Sequence, residues 1–166
     1  QSRIMDVASR DTGKPEQEAM ALEGWSAVDS FVFYAKRAQK WLADKKIKTH
    51  GPLQFLKKTI ITYKPRGVVA VITPWNGPFI LSINPVIQAV LCGNSVVVKP
   101  SEVTPMSGAL VQEIFALAEA PPTLVQTFIG DGQTGSELIE CAPDKLSVTG
   151  SALTINRIAA QCLDIP

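Results

Sequence analysis

The chain has 166 residues, which is enough for one domain with a substantial core and short for two. A hydrophobic fraction of 46%, a charged fraction of 19% and a mean hydropathy of +0.14 exclude an intrinsically disordered polypeptide. The net charge of +1 gives no overall attraction to nucleic acid or to membranes.

Neither a membrane segment nor a secretion signal is predicted. The N-terminal residues lack an apolar signal core, and the longest apolar stretch, residues 78–92, is too short to span a bilayer and contains Asn84 and Pro85. A cytoplasmic location is therefore the default expectation. Because the chain begins with Gln1 and not Met, we also expect it to be an excerpt of a longer polypeptide.

The cysteines and the histidine predict no metal site. Cys92, Cys141 and Cys162 are far apart, form no zinc-type spacing, and are accompanied only by His50. Reduced, buried thiols are the simplest interpretation of the three cysteines.

The first third of the chain predicts a long helix followed by exposed strands. Between residues 16 and 42, apolar residues recur at helical spacing, and we expect them to face the core. They are Trp25, Val28, Val32, Ala35, Ala38 and Leu42. Residues 53–66 alternate in polarity and carry β-branched side chains, as one or two exposed strands do.

From residue 67 onward, apolar runs alternate strictly with helix-like segments. The runs GVVAVITP, SVVVKP, LVQTFI and KLSVTG are typical of strands buried on both faces. The alternation predicts an α/β fold with a Rossmann-like parallel sheet of about four strands flanked by helices. Ligands bind such sheets at the carboxyl ends of the strands, which here are residues 73–77, 99–102, 130–135 and 149–151.

A G-x-G-x-x-G pattern, formed by Gly130, Gly132 and Gly135, lies between a predicted strand and a predicted helix. In a dinucleotide-binding turn, an acidic residue about twenty positions on holds the ribose hydroxyls. That strand end reads SVTGS and has no acid, so the fingerprint fails its own test. The glycines are equally explained as residues of a strand-to-helix turn.

A second candidate is the strand end SVVVKPSE. The Glu102 carboxylate could accept hydrogen bonds from two ribose hydroxyls, and the Lys99 ammonium could donate one. The phosphates would then lie at the helix N-terminus that follows Gly150 and Ser151. The alternative is that Lys99 and Glu102 form a solvent-exposed ion pair.

Positive charge is concentrated in one segment. Ten of the 16 basic residues lie between Lys36 and Arg66, where Asp44 is the single acid. A solvated helix face with an exposed ribbon explains this segment, whereas a surface for nucleic acid or an acidic partner has no supporting motif.

The strand ends together resemble the NAD(P)-dependent aldehyde dehydrogenase superfamily. The matching segments are RDTGKP (10–15), KPRGVVAVITPWNGPF (64–79), the outline of residues 89–105, GDGQTG (130–135) and VTGS (148–151). The resemblance covers nearly the whole chain, from about Ser9 to Ala160. It implies an incomplete aldehyde dehydrogenase fold: an N-terminal helical segment (1–52), an oligomerisation β-ribbon (53–66) and a partial NAD-binding domain (67–166).

The resemblance also implies roles for individual residues. Asn76 matches the asparagine whose side-chain amide contributes to the oxyanion hole; a simple helix cap is its alternative role. Lys99 and Glu102 match residues that hold the adenosine ribose, and Glu102 favours NAD while leaving NADP possible. The cofactor-binding residues implied are Ile72, Thr73, Pro74, Trp75, Lys99, Ser101, Glu102, Gly132, Gly150 and Ser151. No metal-binding residue is implied.

The chain departs from the family in two respects. Val148 and Asn156 stand where the family usually has phenylalanine and a second glycine, and a side chain at 156 would be expected to crowd the pyrophosphate. The family's nucleophilic cysteine and general-base glutamate lie beyond the matched region. The chain alone is therefore expected to be inactive, since no thiohemiacetal can form without the thiolate.

Three hypotheses follow. The chain is the N-terminal part of an enzyme that oxidises an aldehyde to a carboxylic acid, or a non-catalytic nucleotide-binding or partner-binding relative, or, least favoured, a nucleic-acid-binding or scaffold protein. For the first, the partners are a small-molecule aldehyde and further copies of the chain, with neither nucleic acid nor a membrane. An open sheet edge and the ribbon predict self-association of the isolated chain.

Overall fold

A computed structural model of the protein describes residues 2–51, 57–162 and 165–166. The helices are α1 (Ser2–Thr12), α2 (Glu16–Ala19), a π-helical turn (Met20–Trp25), α3 (Ser26–Leu42), α4 (Ile80–Leu91), α5 (Pro105–Leu117), α6 (Gly132–Glu140) and α7 (Ala152–Gln161). The strands are β1 (Lys45–Ile47), β2 (Thr59–Ile61), β3 (Val68–Ile72), β4 (Ser95–Lys99), β5 (Val125–Thr127) and β6 (Lys145–Val148).

The predicted four-stranded parallel sheet is confirmed. Its strands run in the order β5-β4-β3-β6, and each neighbouring pair is parallel. The chain moves outward from β3 to β4 to β5 and then crosses back, so that β6 pairs with the other side of β3. This crossover is the topological switch point at which doubly wound sheets bind ligands.

The core is formed by the sheet and the helices packed on it. Val71, Val96 and Val98 of the central strands are buried against Phe79 and Ile83 at the start of α4. All five residues are β-branched or large and apolar, and the three valines come from the runs that predicted strands buried on both faces.

The predicted helix over residues 16–42 is confirmed, but the expectation for its buried face was wrong. Trp25, Val28 and Val32 are exposed, with 60%, 38% and 45% of their surfaces accessible. The stripe that faces the core instead contains Glu23 and Ala27. This helix carries apolar residues on all of its faces, so periodicity could not show which face is buried. The π-helical turn also shifts the helical register by one residue.

The exposed ribbon forms, although its first strand comes from the part of the chain predicted to be helical. Strand β1 pairs antiparallel with β2, with Lys45 opposite Ile61 and Ile47 opposite Thr59. All six residues of the two strands are exposed. Residues 53–56 of the expected ribbon lie outside the described residues.

The N-terminal helices are tied to the helices of the α/β part. The Ser107 amide in the first turn of α5 donates a hydrogen bond of 2.6 Å to the Asp11 carboxylate at the end of α1. An exposed ion pair of 2.7 Å joins Arg3 of α1 to Glu113 of α5. The two parts therefore pack as neighbours and share the core cluster that contains Ala27.

The expectation of buried cysteines was wrong at two positions. Cys92 and Cys141 are exposed because each ends a helix at the surface, whereas Cys162 is half-buried, and all three are free thiols. Burial raises the pKa of the Cys162 thiol. Among the described residues, no group of acids, cysteines and histidine is arranged to hold a metal ion. No described helix is both long and apolar enough to cross a membrane.

Candidate functional site

A crevice of about 590 Å³ opens at the carboxyl ends of β3, β4 and β6 and extends between α6 and α7. It lies at the crossover of the sheet, where ligands of doubly wound proteins bind. All ten residues that the sequence suggested for cofactor binding line it: Ile72, Thr73, Pro74, Trp75, Lys99, Ser101, Glu102, Gly132, Gly150 and Ser151.

Lys99 is the most buried cation of this crevice. It is the last residue of β4, and 7% of its side chain is accessible. Its Nζ donates one hydrogen bond, of 3.3 Å, to the Glu102 carboxylate. An ammonium has three N–H donors, so Lys99 keeps donor capacity for hydroxyl oxygens of a ligand. Gly135 lies against its stem, because a Cβ at that position would be 3.9 Å from the Lys99 Cδ.

Glu102 belongs to a tight turn that follows β4. The Val103 amide donates to the Ser101 hydroxyl at 3.3 Å, and the Thr104 amide donates to the Ser101 carbonyl at 3.2 Å. A hydrogen bond from its own backbone amide, together with attraction to Lys99, holds the pKa of Glu102 below its usual range. Its side chain is 54% accessible, so an ionised acceptor faces the open crevice.

Ser151 caps helix α7. Its hydroxyl accepts a hydrogen bond of 3.2 Å from the Thr154 amide and lies 2.9 Å from the Thr154 hydroxyl. The amides that remain free in the first turn carry the positive end of the helix dipole and favour an anion. Gly150 precedes the cap and leaves the approach open, because its nearest neighbours would be 3.7 Å from an added Cβ.

The glycine pattern contributes two of its three members to the crevice. Gly132 and Gly135 line it on α6, whereas Gly130 lies outside, against Thr134. None of the three adopts a positive φ. Asp131 caps α6, since its carboxylate accepts a hydrogen bond of 2.9 Å from the Gln133 amide. The pattern therefore begins a helix along one wall of the crevice.

The loop between β3 and α4 forms the opposite wall. Thr73 is buried, and its hydroxyl lies 2.7 Å from the Ser82 hydroxyl. Trp75 is 58% accessible and lines the crevice. Asn76, the next residue, is exposed but is not among the lining residues. Of the residues to which the resemblance gives a role, Lys99, Glu102 and Ser151 therefore meet in the crevice, and Asn76 lies just beyond them.

Further residues of the crevice were missed by sequence reasoning. Arg157 lines the crevice, whereas Asn156 is not among the lining residues, and an effect of its side chain on the pyrophosphate stays a prediction. The lining residues of α7 recur three and four positions apart, which is the one signal that could have identified them. The residues missed are Ser136, Ile139, Thr154, Arg157, Ile158 and Gln161.

A doubly wound parallel sheet with a crevice at its crossover is the arrangement in which nucleotide-binding α/β proteins hold their ligands. The profile of the aldehyde dehydrogenase family matches residues 1–164. The chain belongs to the aldehyde dehydrogenase family.

Individual relatives agree with this assignment. The chain is 42% identical to the 4,4'-diapolycopene aldehyde oxidase of Methylomonas sp. over 153 residues, 92% of this chain and 29% of the relative. It is 39% identical over 163 residues to a Mycolicibacterium smegmatis protein named as a succinate-semialdehyde dehydrogenase [NADP(+)], covering 96% of this chain and 30% of that protein.

A solved structure of an aldehyde dehydrogenase has the same fold as this chain. An NAD-dependent aldehyde dehydrogenase from Sinorhizobium meliloti superposes with a TM-score of 0.87 at 26% identity, covering 97% of this chain and 32% of that protein. The chain thus spans about a third of the length of the relatives that it matches. The predicted incomplete aldehyde dehydrogenase fold is confirmed.

Proposed function

We propose that this chain is the N-terminal, cofactor-binding part of an NAD(P)-dependent aldehyde dehydrogenase that oxidises an aldehyde to a carboxylic acid. The observation that carries the proposal is the convergence of Lys99, Glu102 and Ser151 in one crevice of a family member. Each of the three supplies a different kind of contact that an extended dinucleotide requires.

The residues fit a dinucleotide along the length of the crevice. The buried Lys99 ammonium has donors to spare, and the ionised Glu102 accepts hydrogen bonds, so together they suit a ribose. The N-terminus of α7 at Ser151 suits the pyrophosphate. A bound NAD(P) supplies a hydride acceptor, and the chain's own residues bind and orient it.

NAD is favoured over NADP as the cofactor. A carboxylate at Glu102 repels a phosphate on the ribose that it binds, and the low pKa of Glu102 keeps it charged. Arg157 lines the same crevice and offers a compensating positive charge, so NADP remains compatible with the site. The two cofactors also appear in the names of the relatives described above.

Asn76 is proposed as an oxyanion donor. Its side chain is exposed beside Trp75 at the end of the crevice, where a substrate carbonyl would meet the cofactor. Removing one such donor costs about 3 kcal/mol of transition-state stabilisation. In this role Asn76 would stabilise the negative charge that develops on the carbonyl oxygen when a thiolate attacks.

The chain by itself is proposed to be inactive. The described residues lining the crevice include no cysteine, and Cys92, Cys141 and Cys162 all lie elsewhere. Without a thiolate beside the cofactor, the covalent step of aldehyde oxidation has no nucleophile. The remainder of a complete enzyme would supply the nucleophile, the base and the aldehyde pocket.

Self-association through the ribbon is part of the proposal. Ile47, Ile60, Ile61 and Tyr63 are between 43% and 50% exposed on or beside β1 and β2. An exposed apolar ribbon is suited to pairing with another copy of the chain. Sedimentation at tens of micromolar tests this, and a clean monomer would contradict it.

Calorimetric titration of NAD and NADP into the purified chain tests the cofactor assignment. Binding with a Kd in the micromolar range, tighter for NAD, and no reduced cofactor on addition of aldehydes are the expected results. If neither nucleotide binds at millimolar concentration, the cofactor-binding assignment is refuted. If the chain binds but a longer polypeptide containing it also fails to oxidise aldehydes, the non-catalytic binding module becomes the better description.

A further inference from the structure

The structure contains a buried carboxylate that the crevice does not use directly. Glu23 is 0% accessible and lies in the π-helical turn Met20–Trp25. A buried charge is costly unless it is paired and hydrogen-bonded. π-helical turns occur frequently at functional sites. Glu23 therefore requires an explanation in terms of its partners.

The partners of Glu23 include the first amides of α4. Its Oε2 accepts hydrogen bonds of 3.2 Å from the Phe79 amide and 2.9 Å from the Ile80 amide. Helix α4 begins at Ile80, and Phe79, its N-cap residue, has no side-chain oxygen with which to cap it. A carboxylate 56 residues earlier in the chain therefore caps the helix that ends the Asn76 loop.

Lys14 connects the same carboxylate to Asn76 itself. Its Nζ lies 3.0 Å from the Glu23 Oε1 and donates a hydrogen bond of 2.7 Å to the backbone carbonyl of Asn76. The Lys14 side chain is 17% accessible, so the ion pair is largely shielded from water. The two residues together hold the Asn76 loop at residue 76 and again at residues 79 and 80.

We propose that Lys14 and Glu23 are positioning residues that fix the Asn76 backbone, so that its side-chain amide is aimed at the reacting end of the crevice. The proposal rests on the proposed function, because it gives a purpose to the placement of Asn76. Neither residue contacts the crevice, and both act through the loop between β3 and α4.

The chemistry of the pair suits positioning better than stabilisation. Buried ion pairs add little net stability, yet removing one partner leaves the other charge uncompensated. An oxyanion donor must be held within a few tenths of an ångström of its working position, and a misplacement of about 1 Å costs about a hundredfold in rate. A rigid support from outside the loop meets that requirement.

The first test is made on the chain itself, by the NMR spectra of the Asn76 side-chain amide and the Phe79 and Ile80 backbone amides. Glu23→Gln keeps the shape of the side chain but presents an NH₂ group to the Lys14 ammonium. We expect the Phe79 and Ile80 proton signals to move upfield, their hydrogen exchange to accelerate at least about tenfold, and the Asn76 signal to shift.

Control variants separate positioning from a general loss of stability. Glu113→Gln breaks the exposed pair with Arg3, which also fastens the N-terminal helices, and should leave the Asn76 signal unchanged. Lys14→Met should shift that signal, whereas Lys14→Arg, which keeps the charge and donors, should largely restore it. If the Asn76 signal of folded Glu23→Gln coincides with that of the unchanged chain, the proposal is refuted.

The second test uses the complete enzyme that the proposed function requires. Glu23→Gln should lower kcat about tenfold to a hundredfold, with the KM for NAD changed less than about twofold. In an Asn76→Ala background, the same change should lower kcat less than about twofold, because the donor being positioned is already gone.

The outcomes of this second test separate the two claims. Equal losses from Glu23→Gln with and without Asn76 would overturn the positioning role. An Asn76→Ala variant with full activity would overturn the oxyanion role of Asn76, and the spectra would still decide whether Lys14 and Glu23 fix the loop.

Discussion

The two walls of the crevice are supported in different ways. On one wall, Lys99 and Glu102 contact each other within a single turn after β4. On the other, the Asn76 loop is held by Lys14 and Glu23, which lie more than fifty residues earlier in the chain. The first wall is a local arrangement, and the second depends on how a distant helix packs.

In the proposed enzyme, the wall with Lys99 and Glu102 binds the cofactor, and the other wall aligns Asn76 with the substrate carbonyl. A local turn forms whenever β4 is in place, so contacts to the adenosine half need little from the rest of the fold. The Asn76 loop is held in its position only when the π-helical turn, which contains Glu23, is packed against the start of α4. Variants of the two walls should therefore change different quantities, and the predictions below begin with the largest expected effect.

Replacing Lys99 by Met should weaken NAD binding about tenfold to a hundredfold, because a charged hydrogen-bond donor is worth about 1.5–3 kcal/mol. Folding stability should change little, since an apolar side chain of similar volume replaces a buried ammonium and Glu102 remains solvated. Calorimetric titration and thermal melting measure the two effects. Lys145→Met, at the exposed start of β6, is the matched control, and an equal loss of affinity there would contradict the prediction.

Replacing Gly108 by Ala should displace Pro100 and, with it, the turn that holds Lys99 and Glu102. An added Cβ would overlap the ring of Pro100, which directly follows Lys99. Overpacking of this kind costs about 1–3 kcal/mol. Thermal melting should show the loss, and NAD affinity should fall with it. Gly24→Ala, where an added Cβ meets nothing within 4 Å, should not destabilise the protein. Similar melting temperatures for the two variants would show that Pro100 moves freely.

Replacing Ser151 by Ala removes the cap of α7 and should cost about 1 kcal/mol. For a chain of this size, that corresponds to a fall of about 2–4 °C in Tm. Ser30→Ala, inside α3, should lower Tm less, since Ser30 caps no helix. If Ser151→Ala lowers Tm no more than Ser30→Ala does, the Ser151 hydroxyl does not stabilise α7 as a cap.

The smallest effect is expected from pH. The folded pKa of Glu102 lies below its usual value, so its contribution to stability is complete above the unfolded pKa, about 4.3, and is lost as pH falls through the folded value. The side chain is half exposed, so this contribution is small. NAD affinity should be constant from pH 8 to pH 5. A titration step near neutral pH that disappears in Glu102→Gln would contradict the low pKa.

The sequence was sufficient to predict the sheet and the position of Lys99 and Glu102 at the crevice. Strands β3 to β6 are short apolar runs separated by helical patterns, and Lys99 lies at the end of one of them, so topology alone brings it to the crevice. The buried face of α3 was not predictable from periodicity, because Trp25 and Val32 compete with Ala27 for the core and packing decides between them.

Lys14 and Glu23 were invisible to sequence reasoning for a related reason. Lys14 lies in a polar stretch and Glu23 is a single acid among apolar residues, and only the packing of the N-terminal helices brings them to Asn76. Long-range hydrogen bonds of this kind have no spacing signature. A motif search therefore identifies the residues that would touch a ligand more readily than those that hold them in place.

The segment that runs from Lys14 through α2 to Glu23 is sensitive to its exact length. Successive residues of a helix point about 100° apart, so an in-frame loss of one codon between Lys14 and Glu23 would rotate one end of the helix relative to the other. Either the Glu23 carboxylate would leave the start of α4, or the helix start beside Lys14 would lose its packing. A single-residue deletion here should thus be more harmful than most substitutions at the same positions.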